Sequence, residues 1–211
     1  IEKITNVDRM EFLNQRDNDS QDMVLSKTIT GFSDYVREYS PDLVVIHGDR
    51  VEAIAAALVC VINNIRSVHI EGGEVSGNVD ELYRHCNTKL CSSHFVSSKV
   101  AKERVIKMGE NPNRVFILGS PELDVHLESS NLPLDQVKKY YEIDWNDFGI
   151  IIFHSVTSDR ETIQSQAKAF YSTLVDSNKK FVVILPNNDP GSEMIFDVIS
   201  TLPSNKFKII P

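Results

Sequence analysis

Short apolar runs alternate with longer amphipathic segments along most of the chain. Runs such as 43–46 and 181–185 are rich in Val and Ile and are followed by turn-forming residues, which predicts buried β-strands. The segments between such runs place apolar residues at helical spacing. The predicted strands are 43–48, 66–70, 94–97, 115–118, 150–153, 181–185 and 206–210, and the predicted helices are 22–39, 51–63, 79–91, 99–108, 134–141, 159–177 and 191–201. This alternation predicts an α/β protein with doubly wound parallel sheets.

The alternation is interrupted once. Residues 122–147 are mostly polar, contain Pro133 and predict a single helix, so we interpret them as a linker region. We therefore predict two α/β domains, an N-terminal one at 1–121 and the start of a second one at 148–211. The chain begins at Ile1 without Met and ends just after a strand-like run, so we expect a fold that is truncated at both ends.

Composition and charge narrow the class of protein. The 211 residues are 41% hydrophobic and 25% charged, which is typical of a globular protein that buries a real core. The formal net charge of −8, with no basic tract, argues against binding to nucleic acid or to an anionic membrane surface. Because no apolar run approaches the roughly 20 residues that span a bilayer, we expect no membrane segment. An anionic substrate would be held by a few Arg, His and backbone N–H groups.

The cysteines and the known short motifs predict no metal and no cofactor. Cys60, Cys86 and Cys91 do not form a metal-ligand spacing, and a GxGxxG fingerprint and a P-loop are both absent. Cys60 lies in an apolar run and is predicted to be a core residue. For Cys86 and Cys91 we favour packing over a disulfide. This cysteine usage fits a reducing, cytoplasmic setting.

Three acidic residues are the main candidates for chemistry. Asp49 follows strand 43–48, Glu71 separates strand 66–70 from two glycines, and Asp80 opens the next predicted helix. Each has a structural alternative, because Asp49 could cap the helix that starts at Val51, and Asp80 is favoured by a helix dipole. Taken together they converge on the carboxyl edge of one parallel sheet, where α/β proteins bind ligands and glycines let a ligand come close.

Basic residues flank these acids. Arg50 directly follows Asp49, where it could bind a phosphate or simply neutralise the carboxylate. Arg84 and His85 lie one helical turn after Asp80, where they could pair with the acids or face a ligand. The sequence leaves these alternatives open.

Polar residues also follow two strands of the second domain. His154 comes directly after strand 150–153, either as a ligand contact or as a histidine that ends the strand. Asn187, Asn188 and Asp189 follow strand 181–185 and precede Gly191. This segment is either a turn that starts the next helix or a ligand loop at the same edge of the sheet.

Four segments together resemble one enzyme family. HGDR at 47–50, HIEGGEVSG at 69–77, DELYRH at 80–85 and PNNDPGSE at 186–193 resemble the hydrolysing UDP-N-acetylglucosamine 2-epimerases of bacterial sialic acid synthesis. The resemblance implies two Rossmann-like domains in a glycosyltransferase-B-like arrangement, with the nucleotide sugar in the cleft between them. It also implies a cofactor-free reaction that eliminates UDP and rehydrates a 2-acetamidoglucal. A homodimer or homotetramer is implied as well.

The family's functional residues can be carried over to matching positions. Asp49, Glu71 and Asp80 match its catalytic acids, which implies acid–base work and stabilisation of positive charge at C1 of the sugar. The implied substrate contacts are Arg50, Arg84, His154, Asn188 and Asp189. The chain departs from the family at Ser155, where proline usually follows the histidine. Because the family's first loop and its last diphosphate-binding segment are not present, we expect the isolated chain to be inactive or nearly so.

Three alternatives remain at this point. The same reaction could act on UDP-N,N′-diacetylbacillosamine for legionaminic acid synthesis. A glycosyltransferase of the same two-domain shape is a second possibility, because fold alone does not define function. The third is a nucleotide-sugar sensor without activity, which the retained set of acids disfavours.

Overall fold

The computed structural model describes residues 10–16, 19–127, 132–156, 161–187, 189 and 191–211. It divides into two compact units, Ile1–Leu127 and Glu128–Pro211, and each is built on one parallel sheet. The predicted α/β fold class with parallel sheets is confirmed. None of the helices in the described ranges combines the length and the apolar character that a membrane crossing needs.

The first unit is a four-stranded sheet with helices between its strands. Its strands are β1 Leu43–His47, β2 Arg66–Ile70, β3 Ser93–Val96 and β4 Val115–Ile117, and its helices are α1 Gln21–Tyr39, α2 Val51–Ile62, α3 Val79–Leu90, α4 Lys99–Lys107 and α5 Pro121–Leu127. The sheet order is β1-β2-β3-β4, so each crossover adds the next strand on the same side. The strands and helices predicted before residue 119 are confirmed to within two residues, whereas α5 lies in the predicted linker.

Small side chains let α2 pack closely in this unit. Ala55, Ala57 and Cys60 are fully buried on α2, which contacts α1, α3 and β1. Burial raises the pKa of the Cys60 thiol to about 11, so this residue is an inert part of the core, as predicted. Cys91 is also buried and unbonded. The prediction of packing is wrong for Cys86, because that residue lies on the exposed side of α3.

The second unit is a three-stranded parallel sheet with an aromatic core. Its strands are β5 Gly149–Ile152, β6 Phe181–Ile184 and β7 Phe207–Ile210, in that order, and its helices are α6 Leu134–Tyr140, α7 Ile163–Asp176 and α8 Ser192–Ser200. Tyr171 of α7 is buried among Phe153, Phe181 and Phe207. Helix α6 lies in the predicted linker and near its predicted position. The predicted start of α7, at 159–160, lies outside the described residues.

The pairing of β1 with β2 continues past the ends of both strands. His47 pairs with Ile70, and the amide of Gly48 donates to the Ile70 carbonyl oxygen at 3.2 Å. In the same way the amide of Glu71 donates to the carbonyl oxygen of Phe95 at 2.9 Å. The residues that follow these neighbouring strands are therefore aligned side by side at the carboxyl edge of the sheet.

Candidate active site

Asp49 lies in the short connection between β1 and α2. Gly48 turns the chain with a φ of +82°, a conformation that glycine adopts at low cost. The N-cap of α2 is Arg50, whose carbonyl oxygen accepts from the amide of Ala53 at 2.9 Å. The proposal that Asp49 itself caps the helix is therefore wrong, because the helix starts one residue later than such a cap requires.

The carboxylate of Asp49 instead pairs with Arg84 of α3. The guanidinium donates Nη2–H to Asp49 Oδ2 and Nη1–H to the carbonyl oxygen of Glu74, the latter at 3.2 Å. The side chain of Arg84 is only 11% exposed, and burial lowers its pKa. Because the pair is only partly solvated, it fixes the position of a negative charge at the sheet edge. This answers the open question of whether Arg84 pairs with an acid.

Glu71 occupies the corresponding position after β2. Its φ is +69°, a left-handed conformation that costs a non-glycine residue about 1 kcal/mol or more and persists only where the surroundings impose it. Oε2 of its carboxylate lies 3.1 Å from Nε2 of His47, and the Glu71 side chain is 23% exposed. His47 was missed as a candidate, although its place as the last residue of β1 aligns it with the end of β2. Glu71 and His47 form a second polar pair beside that of Asp49.

The two glycines after Glu71 let the loop approach the rest of the protein. A Cβ on Gly72 would lie 3.0 Å from Thr88 Oγ1, and one on Gly73, whose φ is +84°, would lie 2.4 Å from the backbone oxygen of Ala101. We expected the glycines to leave room for a ligand. At these two positions, protein atoms from α3 and α4 fill that room.

The loop that follows is held by one residue of α4 and one residue that lies between β3 and α4. Arg104 of α4 donates to the carbonyl oxygen of Gly73, and the Ser97 hydroxyl donates to the carboxylate of Glu74. These contacts give Glu74 a structural partner within the protein. They also connect the loop to the end of β3 and to α4.

Glu81 anchors the far end of the same loop. Its carboxylate accepts from the backbone amides of Ser76 and Gly77 at 2.9 and 2.8 Å. Those backbone hydrogen bonds lower the pKa of Glu81. The negative charge of Glu81 is thus used to hold the loop against the first turn of α3.

Asp80 lies beside Glu81 but points to a different partner. Its carboxylate accepts from Asn78 Nδ2 at 2.7 Å, within the first turn of α3. In the ranges that the structure describes, no hydrogen bond or ion pair joins Asp80 to Asp49 or Glu71. Among the described residues, no three His, Cys, Asp or Glu side chains are grouped so that they could hold a metal ion. The structure therefore brings two of the three predicted acids to adjacent strand ends and leaves the third on the neighbouring helix.

The side chain of Arg50 lies beside Glu52, whereas the sequence suggested Asp49 as its partner. Its Nε lies 3.4 Å from Oε2 of Glu52, and the side chain is 49% exposed. Neutralisation of Asp49 falls to Arg84 instead. A role for Arg50 in holding phosphate stays a prediction.

The predicted residues of the second unit lie in the connections after β5 and β6. His154 is exposed, two residues beyond the end of β5. Asn187 Nδ2 donates to Asp189 Oδ2 at 2.6 Å, and the amide of Asp189 lies 3.3 Å from Asn187 Oδ1. Asn188 lies outside the described residues. These hydrogen bonds form a turn, which was one of the two alternatives.

Gly191 brings these two connections together. Its φ is +97°, and a Cβ added there would lie 2.5 Å from Ile163 Cδ1 and 3.7 Å from Ser155 Cβ. The amide of Gly191 also donates to Oε2 of Glu193 at 3.0 Å. The start of α8 is therefore packed against the segment that follows β5.

Carboxylates that follow neighbouring parallel strands, each beside a basic side chain, make the carboxyl edge of this sheet the candidate small-molecule site. Residues 2–211 match the family described as UDP-N-acetylglucosamine 2-epimerase. The chain belongs to that family.

Individual relatives agree with this assignment. The UDP-N-acetylglucosamine 2-epimerase of Neisseria meningitidis serogroup B is 40% identical over 201 residues, which are 95% of this chain and 53% of that protein. The UDP-N,N′-diacetylbacillosamine 2-epimerase (hydrolyzing) of Legionella pneumophila is 34% identical over 172 residues, 81% of this chain and 46% of that protein. The chain thus spans about half the length of the curated relatives it matches.

A solved structure supports the fold. The crystal structure of UDP-GlcNAc 2-epimerase from Neisseria meningitidis bound to UDP-GlcNAc superposes with a TM-score of 0.72 at 22% identity, covering 93% of this chain and 56% of that one. The likeness confirms the α/β fold with parallel sheets that the sequence pattern predicted and that the resemblance implied to be glycosyltransferase-B-like.

Proposed function

We propose that the protein is a hydrolysing 2-epimerase that converts UDP-N-acetylglucosamine and water into N-acetylmannosamine and UDP. The observation that carries the proposal is the placement of two carboxylates at adjacent strand ends. Asp49 lies beside Arg84, and Glu71 lies beside His47. The 40% identity to a UDP-N-acetylglucosamine 2-epimerase supports the choice of substrate. Synthesis of sialic acid in the cytoplasm, by a homodimer or homotetramer, is the setting that goes with this proposal.

The reaction needs two kinds of carboxylate. In the first step the C2–H bond breaks, its electrons form the C1=C2 double bond, and the C1–O bond breaks as UDP leaves. In the second step water adds its oxygen to C1, and a proton returns to C2 on the opposite face. A fixed negative charge stabilises the positive charge that grows at C1, whereas a carboxylate that exchanges protons removes and replaces hydrogen.

We assign these tasks from the partners of each acid. Asp49 is held by the guanidinium of Arg84, which suits a charge that stays negative throughout the reaction. Glu71 lies beside the imidazole of His47, a side chain of the kind that serves as a general acid or base, which suits a carboxylate that exchanges protons with the sugar. Asp80 is the predicted third acid. Arg50, Arg84, His154, Asn188 and Asp189 are proposed to contact the substrate.

The test is to incubate the full-length protein with UDP-N-acetylglucosamine in D₂O and to follow the sugar by proton NMR. We expect free UDP together with N-acetylmannosamine that carries deuterium at C2. UDP release without exchange at C2 would contradict the proposed elimination. A requirement for an added sugar or alcohol acceptor would instead indicate a transferase.

UDP-N,N′-diacetylbacillosamine is a second candidate substrate. A relative that is 34% identical is named for hydrolysing epimerisation of that sugar. The two substrates differ at C4 and C6, so the comparison of kcat/KM for both under the same conditions decides between them. A higher value for the diacetylated sugar would move the protein to legionaminic acid synthesis.

A further inference from the structure

His69 is a buried polar residue at the centre of the first unit. It lies in β2, and none of its surface is exposed. Nε2 lies 2.9 Å from the carbonyl oxygen of Gly48, and Nδ1 lies 3.1 Å from Oγ1 of Thr88. Both ring nitrogens therefore have a partner inside the protein. Nothing in the proposed chemistry uses this imidazole directly.

The partners define the protonation state of the ring. A carbonyl oxygen can only accept, so Nε2 carries the proton and donates it to Gly48. Burial lowers the pKa of His69 to about 4, so the ring is neutral at physiological pH. Nδ1 then accepts from the hydroxyl of Thr88, whose single proton is shared with the carbonyl oxygen of Arg84, also 3.1 Å away.

The same imidazole contacts three segments that carry the candidate site. Gly48 precedes Asp49, and Thr88 follows Arg84 by one turn on α3. The third segment begins at Gly72, directly after Glu71, where an added Cβ would lie 3.1 Å from His69 Nδ1.

Hydrogen bonds determine the conformation of the chain at Gly48. A Cβ added to Gly48 would have no heavy atom within 4 Å, so side-chain packing does not hold this turn. Its carbonyl oxygen instead accepts from His69 at 2.9 Å and from Asn87 Nδ2 at 3.3 Å. These two donors orient the peptide group that leads into Asp49.

We propose that His69 is a positioning residue whose Nε2–H, by holding the carbonyl oxygen of Gly48, places the carboxylate of Asp49 against Arg84 and beside Glu71. Its effect on turnover rests on the proposed function, whereas its effect on the geometry of Asp49 does not. Misplacement of a reacting group by about 1 Å can lower a rate by about a hundredfold. The loss should therefore appear in kcat.

A matched control lies on the next strand. His94 of β3 pairs in register with His69, is 1% exposed and has Nε2 at 3.3 Å from Oε2 of Glu110. It is a buried histidine in the same sheet, and Glu110 is not one of the candidate site residues. Substitution of His94 measures the cost of altering a buried imidazole as such.

The experiment compares three variants of the full-length protein: His69→Phe, which keeps volume but no hydrogen bond, His69→Gln, which keeps a donor and an acceptor, and His94→Gln. We expect His69→Phe to lower kcat by about 10- to 100-fold with KM within about threefold of wild type. We expect His69→Gln to recover most of that loss. His94→Gln should keep kcat within about threefold even where it lowers the melting temperature.

A second measurement is independent of turnover. The ¹⁵N NMR spectrum of the imidazole should show His69 as the neutral Nε2–H tautomer at pH 7. The ¹³C signal of the Asp49 carboxyl group should move strongly in His69→Phe, less in His69→Gln, and stay in place in His94→Gln. If wild type turns over neither nucleotide sugar, the proposed function fails and these spectra alone decide the role of His69.

Clear results overturn the inference. It is wrong if His69→Phe keeps kcat within about threefold of wild type, or if His94→Gln loses as much kcat as His69→Phe. It is also wrong if the ring is the Nδ1–H tautomer or is charged at pH 7. Should His69→Phe not fold, the wild-type tautomer and the Asp49 signal of His69→Gln decide whether the inference holds.

Discussion

The connections after β1 and β2 in the first unit differ from those after β5 and β6 in the second. In the first unit the polar side chains reach across to other elements, as Asp49 does to Arg84 and Glu74 does to Ser97. In the second unit Asn187 and Asp189 exchange hydrogen bonds within one turn, and His154 is exposed.

Taken with the proposed function, this difference predicts a division of tasks. Groups that act on developing charge work best when their dipoles and charges are already in place, because they then need no reorientation during the reaction. Groups that only bind a flexible phosphate ester can become ordered when the ligand arrives. We therefore expect substitutions in the first unit to change turnover and stability, and substitutions in the second to change mainly substrate affinity.

The largest effect should come from the paired acids. Asp49→Asn and Glu71→Gln remove a charge at nearly constant volume, and each should lower kcat by about 10²- to 10⁴-fold. Release of UDP from UDP-N-acetylglucosamine measures this, with circular dichroism to check folding. The matched controls are Asp42→Asn and Glu103→Gln, which alter exposed acids of the same unit. A variant of Asp49 or Glu71 that keeps more than about a tenth of kcat would contradict the assignment.

Acid should weaken the first unit more than the second. Burial lowers the pKa of His69 to about 4, whereas unfolded histidine titrates near 6.5. The unfolded chain therefore binds the proton first, so stability is full above pH 6.5 and is lost as the pH falls toward 4. This shift corresponds to on the order of 3 kcal/mol of unfolding free energy.

Urea unfolding at pH 7 and pH 5 measures this loss. His69→Gln should show a smaller loss than wild type over the same pH interval, because glutamine does not titrate. Fluorescence of Trp145, the single tryptophan, reports on the second unit and should change less. An equal pH dependence in wild type and His69→Gln would contradict the prediction.

Two glycines with similar backbone conformations should respond differently to alanine. Gly73→Ala places a Cβ 2.4 Å from the backbone oxygen of Ala101, and backbone atoms there cannot easily move. Gly191→Ala meets the tip of Ile163, which can rotate away. Both variants carry the strain of a positive φ, so we expect a loss of about 3 kcal/mol at Gly73 and about 1 kcal/mol at Gly191. Thermal or urea unfolding measures both losses, and equal losses of unfolding free energy in the two variants would contradict the prediction.

Much of the fold follows from the hydrophobic pattern. Apolar runs separated by amphipathic segments predicted the strands and most helices, because β-branched runs and helical spacing are local signals. The rule that parallel strands end at one edge also predicted that Asp49 and Glu71 lie together. Helix α5 was missed, since a short exposed helix in a polar stretch has little periodicity to detect.

The partners of the acids depend on long-range geometry that the sequence does not display. His47 faces Glu71 only because β1 and β2 pair with His47 opposite Ile70. Arg84 was one of three basic residues near the candidate acids, and the position of α3 decides that it, and not Arg50, pairs with Asp49. His69 lies in an apolar strand, where a histidine is typical of the core, so its hydrogen bonds became visible only in three dimensions.

The smallest effect should come from the second unit. His154 is exposed, so His154→Asn should leave the melting temperature unchanged and kcat within about twofold, while raising KM about three- to tenfold. The matched control is His126→Asn, which alters an exposed histidine of α5 in the first unit and should change neither constant. Steady-state kinetics with UDP-N-acetylglucosamine measure both constants. A loss in kcat as large as that of Glu71→Gln would show that His154 takes part in the chemistry, and the division of tasks between the two units would then be wrong.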